Sequence, residues 1–208
     1  MIEGKPSATA FRAACRRAAH QLVDRPLILE DPLALAIIGG DRGSAIARDE
    51  LSRADSPGGT ALRLFLAARS RYAEDQLALA VGRGVRAAVV LGAGLDTFAY
   101  RNPFAAEGLA VFEVDHPATQ AWKKKQLATT GIKVPEGVTF VPVDFAVDRL
   151  DEKLAAAGLD PAAPAFFSWL GVVPYLTLEA IVSTLTVIAS RPGASEGGFD
   201  YAEPPGKL

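Results

Sequence analysis

The sequence predicts an α/β fold: a mostly parallel, Rossmann-like sheet with helices on both faces and a helical cap ahead of it. Three observations predict it. From Val85 onward, short apolar runs alternate with helical stretches, a pattern that implies parallel strands joined by right-handed crossovers. The run ending at Leu91 passes directly into Gly92-Ala93-Gly94. A second apolar run ends on an acid, Asp115, which follows Gly94 by 21 residues.

The first part reads helical and alanine-rich. Ser7 can cap a helix running to about Leu22, and Asp24-Arg25-Pro26 breaks it. Asp31-Pro32 predicts a second short helix, with Asp31 as its cap and Pro32 in its first turn, ended by Gly39-Gly40. A polar, partly helical region follows, and Ser56-Pro57-Gly58-Gly59 reads as a loop. Residues 60–82 carry the longest helical pattern, with Leu62, Phe65, Leu66, Tyr72, Leu77 and Val81 near helical spacing; Gly82 and Gly84 close it. Strands are expected at 86–91, 109–114, 138–143, 164–169 and 195–201, with helices at about 117–129, 148–157 and 177–190. Nothing between them reads as a linker. The expectation is one domain over 1–208, with 1–84 as cap and lead-in helix and 85–208 as the cofactor-binding core.

Composition narrows the function. Half the residues are hydrophobic and 22% are charged, as in ordinary globular proteins. A net charge of −2 offers no basic excess for nucleic acid or an anionic membrane. No run of about 18 apolar residues suits a bilayer span, and the N-terminus lacks a signal-peptide pattern. The single cysteine, Cys15, cannot form an internal disulfide, so a reducing cytoplasm is the expected setting. Two separated histidines and that cysteine make no metal site.

The glycine loop and Asp115 carry the chemistry. Glycine lets backbone approach a ligand closely, and ligands of open α/β sheets lie at the carboxyl ends of the strands. A carboxylate there can accept both ribose hydroxyl hydrogens. A dinucleotide fingerprint would place glycine or alanine where Thr97 stands, and Pro103 spoils the helix whose N-terminus a pyrophosphate needs. The residues therefore point to a cofactor with a ribose and no pyrophosphate, such as S-adenosylmethionine. The bland readings are a ligand-free tight turn for the loop and a helix cap before Pro117 for Asp115.

A third strand ends at Val143-Asp144-Phe145. Asp144 could accept from an adenine amino group and Phe145 could lie against the base. Otherwise they are a solvated acid and a core aromatic. No catalytic residue is assigned. His116 before Pro117, and His20 in the cap, read better as structural; Tyr175 reads as packing or a substrate-side hydrogen bond; Ser168 is in no Gly-x-Ser-x-Gly elbow.

Taken together, Leu91–Thr97, Phe112–Gln120, Val143–Phe145 and Phe167–Leu176, with Arg17–Gln21, Asp31–Ala34 and Arg69–Tyr72, resemble one group of class I S-adenosylmethionine-dependent methyltransferases. That group is related to leucine carboxyl methyltransferase, and the resemblance covers about residues 8–202. It implies sheet order 3-2-1-4-5 and S-adenosylmethionine as cofactor. By position it implies Gly92 and Gly94 at the methionine part, Asp115 at the ribose, and Asp144 and Phe145 at the adenine. It also implies Arg69 on the cofactor carboxylate, a task suited to a guanidinium fork; Arg71 reads as an exposed helix charge. The implied activity is O-methylation of a small molecule or a carboxylate.

Two departures stand out. Relatives often carry a glutamate after the fourth strand, near the methionine amino group, where this chain has Trp169-Leu170. The class also continues past the fifth strand with a helix and two more strands, which find no counterpart here. The expectation is then a fifth strand left at the sheet edge, open to self-association. Two other readings remain: a nicotinamide-dependent oxidoreductase, disfavoured by Thr97, and a truncated, non-catalytic cofactor-binding remnant.

Overall fold

The computed structural model describes residues 7–39, 45, 48, 56–193 and 195–201. Five parallel strands form one sheet: β1 (Ala87–Leu91), β2 (Ala110–Asp115), β3 (Val138–Pro142), β4 (Phe166–Trp169) and β5 (Glu196–Phe199). Their order is β3-β2-β1-β4-β5, as expected. The helices are α1 (Ala8–Val23), α2 (Ala34–Ile37), α3 (Pro57–Gly82), α4 (Pro117–Thr130), α5 (Leu150–Ala156) and α6 (Leu178–Ala189).

Both faces of the sheet are apolar, as a covered parallel sheet requires. Val89, Leu91, Phe112, Val114, Phe167 and Trp169 pack with Leu150 and Leu154 of α5 and half-buried residues of α6. On the other face Ala88, Val111 and Phe166 meet Leu77, Ala80 and Val81 of α3. A third cluster joins Ala14, Cys15 and Ala18 of α1 to Ile37 of α2, to Leu95 after the glycine loop and to Leu127 of α4. The N-terminal helices thus sit over the loop that follows β1, where the sequence places a cap.

Three expectations are corrected. Ser56–Gly59 is not a loop but the start of α3: the Ser56 hydroxyl accepts from Gly59 N–H at 3.2 Å, and Pro57 takes a first-turn position whose N–H needs no helical partner. Asp31 does cap the turn at Pro32, its Oδ1 accepting from Leu33 N–H at 3.2 Å and its carbonyl from Ala34 N–H at 3.1 Å, but the regular helix starts only at Ala34, and the buried Asp31 carboxylate serves a second partner as well. The periodic apolar residues of α3 divide: Leu66, Leu77 and Val81 are buried, whereas Leu62, Phe65 and Tyr72 are exposed. The packed face is shared with Arg63, Ala67, Ser70 and Ala73, so counting only large apolar residues misplaces it. The expected polar segment after Gly39 lies, apart from Ala45 and Arg48, outside the described residues.

Candidate functional site

The strand tips bring most of the predicted residues together. Gly92 and Gly94 both have left-handed backbone, with φ of +66° and +46°. The loop is stitched to β2 by the bond from Ala93 N–H to Val114 O at 3.0 Å. Asp115 then receives two backbone donors, Gly94 N–H on Oδ2 at 2.5 Å and His116 N–H on Oδ1 at 2.7 Å. The α4 cap is not Asp115 but His116, whose Nδ1 accepts from Ala118 N–H. Val143 N–H binds Asp115 O at 2.9 Å and brings the β3 tip alongside. There Asp144 accepts from Ala146 N–H at 3.0 Å and lies 3.8 Å from His116 Nε2. Phe145 is half-buried and packs against the core below the tips.

Arg69 reaches the opposite end of this row from α3. Its Nη1 donates to Asp200, just after β5, at 2.6 Å, and its Nε is buried without a partner among the described residues. Between Arg69 and the glycine loop lies the segment after β4. A side chain at Gly92 would meet Val172 Cγ2 at 2.2 Å, so Val172 already lies across that glycine. At Gly94 the neighbour is Ala10 of α1, 3.0 Å from where a Cβ would stand. The lane therefore runs from Asp144 through Asp115, Gly94 and Gly92 to Val172 and Arg69.

Burial raises the Asp115 carboxyl above its ordinary value, with the Gly94 and His116 N–H groups opposing it. Asp96 behaves differently. Burial pushes it up, but the charges of Arg17, Lys123 and Arg101 outweigh burial and hold it low.

Two charged clusters join partners distant in the sequence. Asp31, buried, accepts from the Thr97 hydroxyl at 2.7 Å, with Arg17 and Arg101 alongside. Arg101 pairs with Glu74 of α3, and Arg17 donates to Leu95 O at 2.7 Å. This network ties α1 and α3 to the glycine loop and accounts for a polar residue at position 97. Behind β2, Lys123 Nζ lies 2.7 Å from Glu113, which also accepts from Tyr100 Oη, and both charges are buried. The available signals were Asp96-Thr97 directly after the loop and an acid inside the run Phe112-Glu113-Val114.

Neither histidine is presented as a base. His20 is buried, with Nε2 accepting from Ile28 and Leu29 N–H and Nδ1 at 2.8 Å from Asp24. Tyr175 stands in the turn after β4 and is 67% exposed. A cavity of about 470 Å³ opens at the far end of the sheet, by Tyr100, Asn102, Leu109 and Val138. It collects none of the predicted residues.

The residues fit an adenosyl cofactor with an amino-acid tail. Each Asp115 oxygen uses one of its lone pairs on backbone, leaving two sites for ribose hydroxyls. Arg69 offers a carboxylate a buried donor that has no partner among the described residues. At Gly92, room for the tail requires Val172 to turn aside.

The profile of the leucine carboxyl methyltransferase family matches residues 10–189. The chain belongs to that family. It is 33% identical, over 98% of its length, to a Bacillus subtilis (strain 168) protein named "Putative S-adenosyl-L-methionine-dependent methyltransferase YktD". It is also 33% identical, over 93% of its length, to a protein of Mycolicibacterium paratuberculosis (strain ATCC BAA-968 / K-10) named "Putative S-adenosyl-L-methionine-dependent methyltransferase". A crystal structure from Thermobifida fusca YX, described as a putative methyltransferase, superposes with a TM-score of 0.54 at 17% identity, over 93% of this chain and 65% of that one. The chain spans 73% of the first relative's length and 65% of the second's. The family is one of S-adenosylmethionine-dependent methyltransferases, so the nicotinamide alternative drops out.

Proposed function

We propose that this chain binds S-adenosylmethionine along the row of strand tips and methylates an oxygen of a small-molecule or carboxylate acceptor. The observation that carries the reading is the placement of Asp115: it ends β2, is held by Gly94 N–H, and leaves the helix cap to His116. Asp115 takes the ribose hydroxyls, Asp144 the adenine amino group with Phe145 beside the base, and Arg69 the carboxylate. Gly94, against which Ala10 of α1 lies, and Gly92, under Val172, admit the cofactor backbone-close once those neighbours give way.

The bound cofactor supplies an activated methyl group, so the protein's task is alignment and exclusion of water. An acceptor that is already anionic needs no general base. That suits a site in which His20 spends both nitrogens internally and His116 spends Nδ1 on α4.

We place the protein in the cytoplasm on its single cysteine; among the described residues no helix is long and apolar enough to cross a membrane. Among those residues β5 ends the sheet, and a second copy of the chain associates along that edge. The competing reading, a non-catalytic remnant, is favoured by Val172 lying on Gly92. Incubation with methyl-labelled S-adenosylmethionine and a panel of carboxylic acids and phenols separates the two. Labelled ester or ether supports the enzyme. Cofactor binding with no transfer to any acceptor supports the remnant.

A further inference from the structure

We infer that Arg69 and Asp200 act as one reader of an α-amino acid: Arg69 takes the cofactor's carboxylate and Asp200 its ammonium. The inference rests on the reading above that this crevice holds S-adenosylmethionine. It adds a cofactor contact just after β5, beyond the three tips that the motifs pointed to.

The tail of the cofactor carries two opposite charges on one carbon, so its recognition needs a cation and an anion side by side. Arg69 Nη1 and Asp200 Oδ2 are 2.6 Å apart at the β4–β5 end of the row, each side chain about one-fifth exposed. Neither group is used up by the other. Asp200 spends Oδ2 on Arg69 and Oδ1 on Gly171 N–H, and a carboxylate has lone pairs to spare. Among the described residues Arg69 Nε has no partner although it is buried, an omission that buried donors rarely show.

The surrounding backbone is shaped to the pair. Gly171 has φ +70°, and a Cβ there would stand 2.8 Å from Arg69 Nη2 and 2.9 Å from Nη1. Glycine is what lets the guanidinium lie against this turn. The next residue, Val172, covers Gly92, so the pair adjoins the glycine loop. β4 ends on Trp169, followed by Leu170, and neither offers an acceptor side chain to an ammonium. Asp200 supplies that acceptor from just beyond the neighbouring strand.

The test uses calorimetry on the full chain with three ligands: S-adenosylmethionine, its decarboxylated form, which keeps the amine, and 5′-methylthioadenosine, which has neither charge. Asp200→Asn is expected to weaken the first two by at least tenfold and leave the third within twofold. Arg69→Gln should weaken S-adenosylmethionine alone by a similar factor. Gly171→Ala, which displaces the guanidinium, should follow Arg69→Gln. A merely structural role for Asp200 would weaken all three ligands equally, and that result overturns the inference. So does tighter binding of S-adenosylmethionine by Asp200→Asn, which would make Asp200 a competitor for Arg69. Should Asp200→Asn fail to fold, Gly171→Ala decides: equal loss of all three ligands overturns the inference. Failure of the underlying reading looks different: 5′-methylthioadenosine then fails to bind the unmodified chain, or binds Asp115→Ala as well as it binds the unmodified chain, and the inference falls with it.

Discussion

Replacing Lys123 by methionine removes the charge that faces Glu113 and keeps most of the side chain's volume. Both groups are almost fully buried, with Nζ 2.7 Å from the carboxylate. After the change, Glu113 keeps only the Tyr100 hydroxyl and the surrounding apolar strands. Breaking a buried pair from one side costs about 3–5 kcal/mol. For a chain of this size each kcal/mol moves Tm by about 2–4 °C, so the expected drop is about 6–20 °C at pH 8. The pH dependence has a definite sign. Burial already raises the Glu113 carboxyl above its ordinary value, with Lys123 opposing, and the substitution raises it further. A raised carboxyl carries no penalty below its unfolded value. Its penalty grows as pH rises and is complete above the folded value. The variant should therefore recover much of its loss near pH 5. Thermal unfolding of the parent, Lys123→Met and the double variant with Glu113→Gln, at pH 5 and pH 8, measures this. The double variant should regain a large part of the loss at pH 8. A single variant as stable as the parent, or a deficit equal at both pH values, refutes the reasoning.

Three further outcomes follow from the structure. Asp24 is held below the usual carboxylate range chiefly by its hydrogen bonds from Arg63, with burial opposing and His20 adding. Asp24→Asn should cost about 3 kcal/mol at pH 7, and chemical denaturation should show the gap to the parent narrowing as pH falls below about 4. Val172→Ala frees the space over Gly92 and should tighten S-adenosylmethionine binding, read by calorimetry, while Gly92→Ala places a Cβ 2.2 Å from Val172 Cγ2 at φ +66° and should lower Tm.

Much of the sheet was legible because its signals are local. Apolar runs, glycine punctuation and intervening helical stretches located all five strands and α4 to α6 to within a few residues. The strand-tip acids were legible for the same reason: Asp115 and Asp144 terminate apolar runs. What escaped depends on partners distant in sequence. Asp31 reads as a cap, and its Oδ1 fills that role, but nothing local shows that Thr97, 66 residues on, donates to its other oxygen. Asp200 meets Arg69 across 131 residues and carries no local mark. Gly92 was read for its openness, yet a valine 80 positions away fills the space its missing side chain leaves. The weak helix after the loop was anticipated from Pro103, and only short 3-10 turns form there.

Titrating S-adenosylmethionine into the parent chain and Asp115→Asn, from pH 5 to pH 8, tests the strand-tip site most directly. The parent should bind at pH 8 and weaken as pH falls through the raised Asp115 value, at higher pH than an ordinary carboxylate would give. Asp115→Asn should bind at least about tenfold more weakly at pH 8, the scale of one charged hydrogen bond. Equal affinity of the two proteins at pH 8 would contradict the account.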